Sequence, residues 1–164
     1  MEPVESSDTR AALLRELQHV LNHEIPLTSH LGLQVQGDAD PESLSLWAPI
    51  SPNLNHKSTA FAGSLNSVLT LAGWGLVWLL LKEWGLAGTV VIQESTCRYL
   101  HPVHEDFVAR CARPSQEELA RFQAQLRGRG KGRLELKVDV SAGERPEVTF
   151  WGRYVVHIQS RSPR

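Results

Sequence analysis

Cysteine is nearly missing. Two residues of 164, Cys97 and Cys111, with no CxxC spacing, exclude a disulfide scaffold and a zinc site of that type. Free thiols of a cytoplasmic protein, packed in strands as small hydrophobes, are the simplest reading. An excess of one charge is missing too. Lys plus Arg is 17 and Asp plus Glu is 18, which argues against a dedicated nucleic-acid binder. The chain has no internal repeat and no low-complexity stretch, and its acidic, polar first ten residues do not read as a secretory signal. The glycine-rich run 128–133 lacks the GxxxxGK[ST] spacing of a phosphate loop and reads as a solvated turn. No long apolar run is free of polar side chains. The most apolar segment, 63–81, carries Asn66, Ser67 and Thr70 in its first half and is closed by Lys82 and Glu83. It reads as a buried core helix rather than a membrane span. That segment also has no Asp, Glu, His or Lys.

Apolar residues make up 41% of the chain and charged ones 21%, an ordinary globular mix, and the length suits one domain spanning 1–164. The charge is unevenly placed. Residues 1–56 carry a net −6 and residues 121–164 a net +6, so the last third can steer an acidic partner without changing the total.

Ser7 or Asp8 can cap a helix over about 9–24, in which Leu13, Leu14, Leu17 and Leu21 recur at helical spacing until Pro26 stops it. Leu33 and Val35, then a turn at 38–42, then Leu44, Leu46 and Ala48 predict a hairpin with one buried face. A loop of turn residues at 51–58 precedes the apolar helix. β-branched residues predict a long strand at 89–100 and a shorter one at 107–112. Ser115 and Glu118 form a capping box for a helix carrying Leu119, Phe122 and Leu126, which Gly128 can end. Two alternating strands follow, one through Leu134–Val140 parity positions and one through Val148, Phe150, Tyr154, Val156 and Ile158. This order fits one long apolar helix wrapped by a mostly antiparallel sheet.

Three stretches carry a sharper signal. They are Ala-Pro-Ile-Ser-Pro-Asn-Leu-Asn-His-Lys-Ser-Thr-Ala-Phe-Ala-Gly-Ser-Leu at 48–65, Leu-Ala-Gly-Trp-Gly-Leu at 71–76 and Arg-Tyr-Leu-His-Pro at 98–102. Together they resemble a hot-dog-fold subgroup of thioesterase-like proteins that includes malonyl-acyl-carrier-protein decarboxylases. Some members stand alone and some are fused behind an acetyltransferase domain; this chain resembles the stand-alone form. The resemblance implies an α+β hot-dog fold, a curved and mostly antiparallel sheet around a central helix. It also implies a homodimer built by edge-to-edge pairing of long strands, with sites between protomers. No metal or organic cofactor is implied. The substrate would be an acyl-carrier-protein or CoA thioester, with neither nucleic acid nor membrane as partner.

The family's critical loop asparagine matches Asn55. An amide donor a few residues before a helix N-terminus suits an oxygen that gains negative charge. The competing reading makes Asn53 and Asn55 turn residues bonded to their own backbone. Hot-dog hydrolases of the phenylacetyl-CoA-thioesterase type typically carry an Asp or Glu on the central helix, about where this chain has Thr70, and His-Gly-Gly where it has Phe61, Ala62 and Gly63. Hydrolysis needs a base; decarboxylation of a malonyl thioester needs only a poorly solvated carboxylate and a stabilised enolate. The expectation is therefore a malonyl-carrier-protein decarboxylase supporting initiation of fatty-acid synthesis. A thioesterase and a non-catalytic thioester-binding module are the alternatives.

His56 could protonate the carbanion or orient a water, or could point to solvent. Ser58, Thr59, Phe61, Gly63 and Ser64 are the expected substrate-binding set, although Ser58, Thr59 and Ser64 could instead cap the helix. Arg127, Arg129, Lys131 and Arg133 are expected to dock an acidic carrier protein. His19 with His23, and His101 with His104, read as solvent-exposed rather than metal ligands. Trp74, Trp78 and Trp84 read as core or dimer contacts.

Overall fold

A computed structural model describes residues 4–37 and 40–159, with the side chains of residues 4–7 outside the description. The helices are α1 (Val4–Glu24), α2 (Leu27–Leu31), α3 (Ala62–Glu83) and α4 (Gln116–Arg129). The strands are β1 (Gln34–Val35), β2 (Ser43–Ala48), β3 (Gly88–Tyr99), β4 (Phe107–Ala112), β5 (Lys131–Ala142) and β6 (Arg145–Ile158). The six strands form one sheet in the order β1-β2-β4-β5-β6-β3, every neighbouring pair antiparallel. Helix α3 packs against β2, β3, β4, β5 and β6, so the sheet wraps it as the element order predicts.

Helix α3 is long and apolar enough to cross a membrane by length and composition, yet 72% of its most apolar window is buried by the rest of the fold. It is the core helix expected. Leu71, Leu76 and Leu80 are buried, with Val68, Leu69 and Ala72. Asn66, Thr70, Trp74 and Trp78 form a half-buried stripe at four-residue spacing, the repeat that keeps side chains on one helix face. Trp74 Nε1 on this stripe donates to the Val90 carbonyl of β3 at 3.0 Å. One contact sets how closely helix and sheet approach. A Cβ at Gly73 would lie 2.2 Å from the Tyr154 hydroxyl, so only glycine fits beneath that ring. The Tyr154 hydroxyl then donates to the Thr70 carbonyl at 2.7 Å. Burial holds that phenol far above its ordinary pKa.

Several boundaries differ from the sequence reading. Helix α1 starts at Val4, so Ser7 and Asp8 lie inside its first turns rather than capping it. Acidic residues are favourable there whether or not they cap. Pro26 ends α1 and also starts α2, where a missing N–H costs nothing. Residues 38 and 39 of the expected turn lie outside the described residues, but Asp40 accepts from the Glu42 N–H and the Ser43 hydroxyl, both at 2.9 Å. Those bonds and the Arg110 guanidinium lower the Asp40 pKa, the backbone bond most. Strand β2 is buried on both faces, not one, with Ser43 and Ser45 inside. The capping box of α4 is formed as predicted, and it lowers the Glu118 pKa. The helix runs through Gly128, however, and ends at Gly130, whose φ of 67° is the left-handed cap. The run 128–133 is thus a helix end and a strand start rather than the solvated turn expected.

Strand β4 pairs with β5 only through Ala109–Cys111. Helix α4 packs on β5, and its Gln125 Oε1 accepts from the Arg133 N–H at 3.3 Å. Strand β3 packs against α3 and is hydrogen-bonded to a neighbouring strand, β6, on one side only among the described residues. It is an edge strand of 12 residues, exposed along most of its length, with Val91, Ile92 and Tyr99 on the surface.

Candidate active site

The loop before α3 folds on Asn53 and Asn55, and the two do different things. Asn53 is buried; its Nδ2 donates to the carbonyls of Leu31 at 2.9 Å and Pro49 at 2.7 Å. That is the turn-residue role. Asn55 is half-buried and organises the loop that follows it. Its Oδ1 accepts from the N–H groups of Lys57 at 2.8 Å and Thr59 at 3.2 Å. Its Nδ2 donates to Thr59 Oγ1 at 2.9 Å and to the Ala60 carbonyl at 3.4 Å. Its backbone N–H donates to the Thr59 carbonyl at 2.8 Å. To turn this tightly, Ser58 adopts φ 59°, the left-handed region.

The loop is tied to what lies across from it. Ala60 N–H donates to the Val103 carbonyl at 2.8 Å, and Phe61 N–H to the Asn53 carbonyl at 2.7 Å. The far wall is the end of β3 and residues 100–103. Tyr99 Oη donates to the Ala62 carbonyl at 3.2 Å, joining the edge strand to the start of α3. Burial first, and then the Cys97 thiol beside it, push the Tyr99 phenol up to about 12. Leu100 and His101 N–H groups both donate to the Glu147 carbonyl, at 2.8 and 3.0 Å.

Between these walls lies an open cleft of about 300 Å³, lined by Asn55, Thr59, Ala62, Leu65, Tyr99 and His101 among others. The N-cap of α3 is Phe61, no side chain caps that end, and its first turn has no acid. The positive end of a 22-residue helix therefore faces the cleft without compensation. The cleft lining thus brings Asn55, Thr59 and His101 beside the N-terminus of a helix.

The predicted residues divide. Asn55 and Thr59 line the cleft. Ser58 and His56 are exposed and lie outside the lining. Phe61 is exposed and its ring covers Gly63, where an added Cβ would be 2.4 Å from Cε1. Ser64 is buried. None of Ser58, Thr59 and Ser64 caps α3. Of two further cleft residues, Tyr99 was not singled out in the sequence, and His101 was read only as a solvent-exposed histidine, which it is. The Arg-Tyr-Leu-His-Pro run was the signal that touched both, and their place in the cleft with Asn55 depends on how β3 meets α3. Thr70 stands on the half-buried stripe, and α3 carries no Asp or Glu before Glu83.

The basic group is elsewhere. Lys131 pairs with His157, which pairs with Thr89, at the start of β3. Tyr99 lies ten residues along the same strand. At about 3.3 Å per residue, Lys131 and the cleft are roughly 33 Å apart along one protomer, about the diameter of a small domain. Among the described residues no three His, Cys, Asp or Glu side chains are grouped to hold a metal. His19 and His23 stack with ring centroids 3.9 Å apart, and His23 Nδ1 is bonded to the His19 carbonyl.

A family model described as "Putative thioesterase (yiiD_Cterm)" matches residues 14–158. The chain belongs to this thioesterase-like family. A protein of unknown function from Chlorobaculum tepidum TLS superposes with a TM-score of 0.85 and 31% identity, covering 90% of this chain and 95% of that one. A "putative thioesterase" from Shewanella oneidensis superposes at 0.80 with 29% identity, covering 90% and 99%. A thioesterase from Haemophilus influenzae shares the fold at 0.69 with 16% identity, covering 92% and 94%. The architecture is accordingly α+β, the hot-dog fold of thioesterase-like proteins: a six-stranded antiparallel sheet around a central helix.

Proposed function

We propose that this protein cleaves acyl thioesters, with the thioester carbonyl held at Asn55 and the α3 N-terminus. The observation that carries this is the position of His101 in the same cleft as Asn55. The sequence argument against hydrolysis was the missing base on the central helix. His101 on the opposite wall supplies a general base by another route. Water loses a proton to His101 and adds to the thioester carbon. The oxyanion is stabilised by Asn55 and the helix end, the C–S bond breaks, and the proton passes to the leaving sulfur. The products are a carboxylic acid and a free thiol. Membership of the thioesterase-like family supports this reading over the decarboxylase expected from the sequence.

A second reading keeps its own observation. No carboxylate on α3 precedes Glu83, and the cleft wall made by Ala62 and Leu65 is apolar. A malonyl thioester whose carboxylate met that wall would be poorly solvated, and Asn55 would then stabilise an enolate instead of a tetrahedral oxyanion. Acetyl-carrier protein would be the product.

The substrate class is a phosphopantetheine thioester on a carrier protein or CoA, handled by a cytoplasmic homodimer. The exposed edge strand β3 supports dimerisation, since an unpaired strand of that length invites a second copy. Mass spectrometry of malonyl-carrier protein after incubation tests the choice. Free carrier thiol supports cleavage, acetyl-carrier protein supports decarboxylation, and unchanged substrate across acyl groups would leave only a binding module.

A further inference from the structure

We infer that the basic rim formed by Arg127, Arg129, Lys131 and Arg133 serves the cleft of the other protomer, docking an acidic carrier protein in trans. The inference rests on the proposed dimer and on the proposed thioester substrate.

The four side chains are exposed, and among the described residues none of them takes part in an ion pair. Several other cations are paired, Arg153 with Glu94 and Glu135, Arg113 with Glu83 and Arg110 with Asp40, while Lys57, Arg98 and Lys137 take part in no ion pair among the described residues. Residues 127–133 carry four cations and no acid, and of the four only Arg133 shares a groove with Glu118 and Glu135, so the rim is positively charged and suited to a partner that brings acidic groups. It surrounds one end of the sheet. Arg127 reaches the end of α3, where Nη2 donates to the Trp84 carbonyl at 3.3 Å. Lys131 and Arg133 stand on the opposite strand parity from the buried Leu134 and Leu136, so they project from the outer face. Arg129 lies at the turn between.

Within one chain that end is the wrong one. Register places Lys131 level with Thr89, while the cleft begins at Tyr99. A carrier bound across the rim could not present its acyl group about 33 Å away in the same protomer. Strand β3, however, is antiparallel to its copy if two protomers pair edge to edge about a two-fold axis. Pairing over the full strand brings the partner's Thr89 opposite Tyr99. The partner's His157 and Lys131 then follow one and two strands further out. With neighbouring strands about 4.8 Å apart, the partner's Lys131 comes to within roughly 15 Å of the Tyr99 wall. The rim and the cleft that are distant in one chain become adjacent across the interface.

Mixed dimers decide the matter. One chain carries Asn55→Ala with Ala62→Trp, which removes the amide and fills its own cleft. The other carries Lys131→Glu with Arg133→Glu. The two bear different tags, so that only mixed dimers are collected, and malonyl-carrier protein is the substrate. The charge-reversed homodimer should show a Michaelis constant raised at least tenfold. In the mixed dimer the open cleft lies on the reversed chain and faces the intact rim of its partner. It should show the wild-type Michaelis constant and half the wild-type turnover. A Michaelis constant as high as that of the reversed homodimer would mean that the rim serves its own chain, and an unchanged constant in the reversed homodimer would mean that it docks nothing; either overturns the inference. Activity surviving in the blocked homodimer would instead overturn the functional reading on which it rests. If charge reversal disturbs folding, Lys131→Ser with Arg133→Ser gives the same comparison with a smaller shift.

Discussion

The side-chain amide of Asn55 donates to the Thr59 hydroxyl at 2.9 Å, so the amide expected to serve the reaction is already engaged in its own loop. Its second proton goes to the Ala60 carbonyl at 3.4 Å, a long and weak bond. That is the proton a thioester oxygen would take over. The turn role and the catalytic role are therefore compatible: the first bond aims the amide and the second is exchangeable. Asn55→Ala should fold and lose about 10²–10³-fold in turnover, the usual loss for one oxyanion donor. Asn55→Asp keeps the acceptor bonds from Lys57 and Thr59 but no donor. It should abolish decarboxylation, because a carboxylate repels both the malonyl group and the enolate. It should retain measurable thioester cleavage, because it adds a base. Product analysis of the two variants side by side separates the chemistries.

Gly73 and Tyr154 give a test of the architecture. An added methyl group at Gly73 would enter the Tyr154 ring and push its hydroxyl off the Thr70 carbonyl. Gly73→Ala should cost about 1–3 kcal/mol through overpacking, even though alanine is the better helix former. Tyr154→Phe, which only leaves the Thr70 carbonyl without its partner, should cost about 1 kcal/mol. Denaturant titration measures both. A stabilised Gly73→Ala variant would mean that the sheet does not press on α3 at this point.

Most of this framework was legible in the chain because its signals are local. Alternation in the β5 and β6 segments, the Ser115–Glu118 box and the apolar density of 63–81 each depend on near neighbours in sequence. The turn at Asn53 was legible for the same reason. What escaped notice depends on distant packing. Gly73 looks like a mild helix weakener until Tyr154, far along the sequence, is placed over it. His101 reads as a solvent-exposed residue and is exposed, but only the fold shows that β3 also carries it to the cleft of the Asn55 loop. The basic rim read as a charged group on a solvated turn; it lies instead on the end of α4 and the start of β5, and its distance from the cleft follows only from strand register. Ser64 looked like a cap or a ligand and is buried, because α3 begins two residues earlier at Ala62.

The two thiols should behave differently. Cys111 is fully buried, and burial, with a smaller contribution from the Asp139 charge, pushes its pKa up to about 12. At pH 8 it carries almost no thiolate and has no access for reagents. Cys97 is half-buried on the edge strand. A disulfide reagent should therefore modify one thiol in the native protein and the second only after denaturation. The sign of the linkage also follows. The folded-state value lies above the ordinary 9.0 of a free thiol, so the neutral thiol contributes its full stabilisation below about pH 9. That contribution is lost as the pH rises toward 12. Rapid modification of both thiols in the native state would contradict the buried position of β4.

His101 and His56 provide the sharpest test of mechanism, because the two histidines exchange the importance that the sequence suggested. His56 adjoins Asn55 in the chain but is exposed and lies outside the cleft lining. His101 is far from Asn55 in sequence, and the paired bonds from the Leu100 and His101 N–H groups to the Glu147 carbonyl fix its backbone on the opposite wall. A general base must reach the water that attacks the thioester, and removing one typically costs about 10²–10⁴-fold. His101→Ala should therefore lose thioester cleavage by that margin while leaving thermal stability within about 0.5 kcal/mol, as for an exposed side chain. His56→Ala should stay within about threefold of wild type, a change of less than 1 kcal/mol in the barrier. His101→Gln, which keeps hydrogen bonding and removes the titrating group, separates the two ways in which the imidazole could act. A base gives a flat pH–rate profile in the Gln variant with turnover still low, whereas a residue that only positions substrate gives recovered turnover and a wild-type profile. If His56→Ala were inactive and His101→Ala fully active, the reacting water would approach from the solvent side of the Asn55 loop, and the cleft would be no more than the channel for the acyl chain.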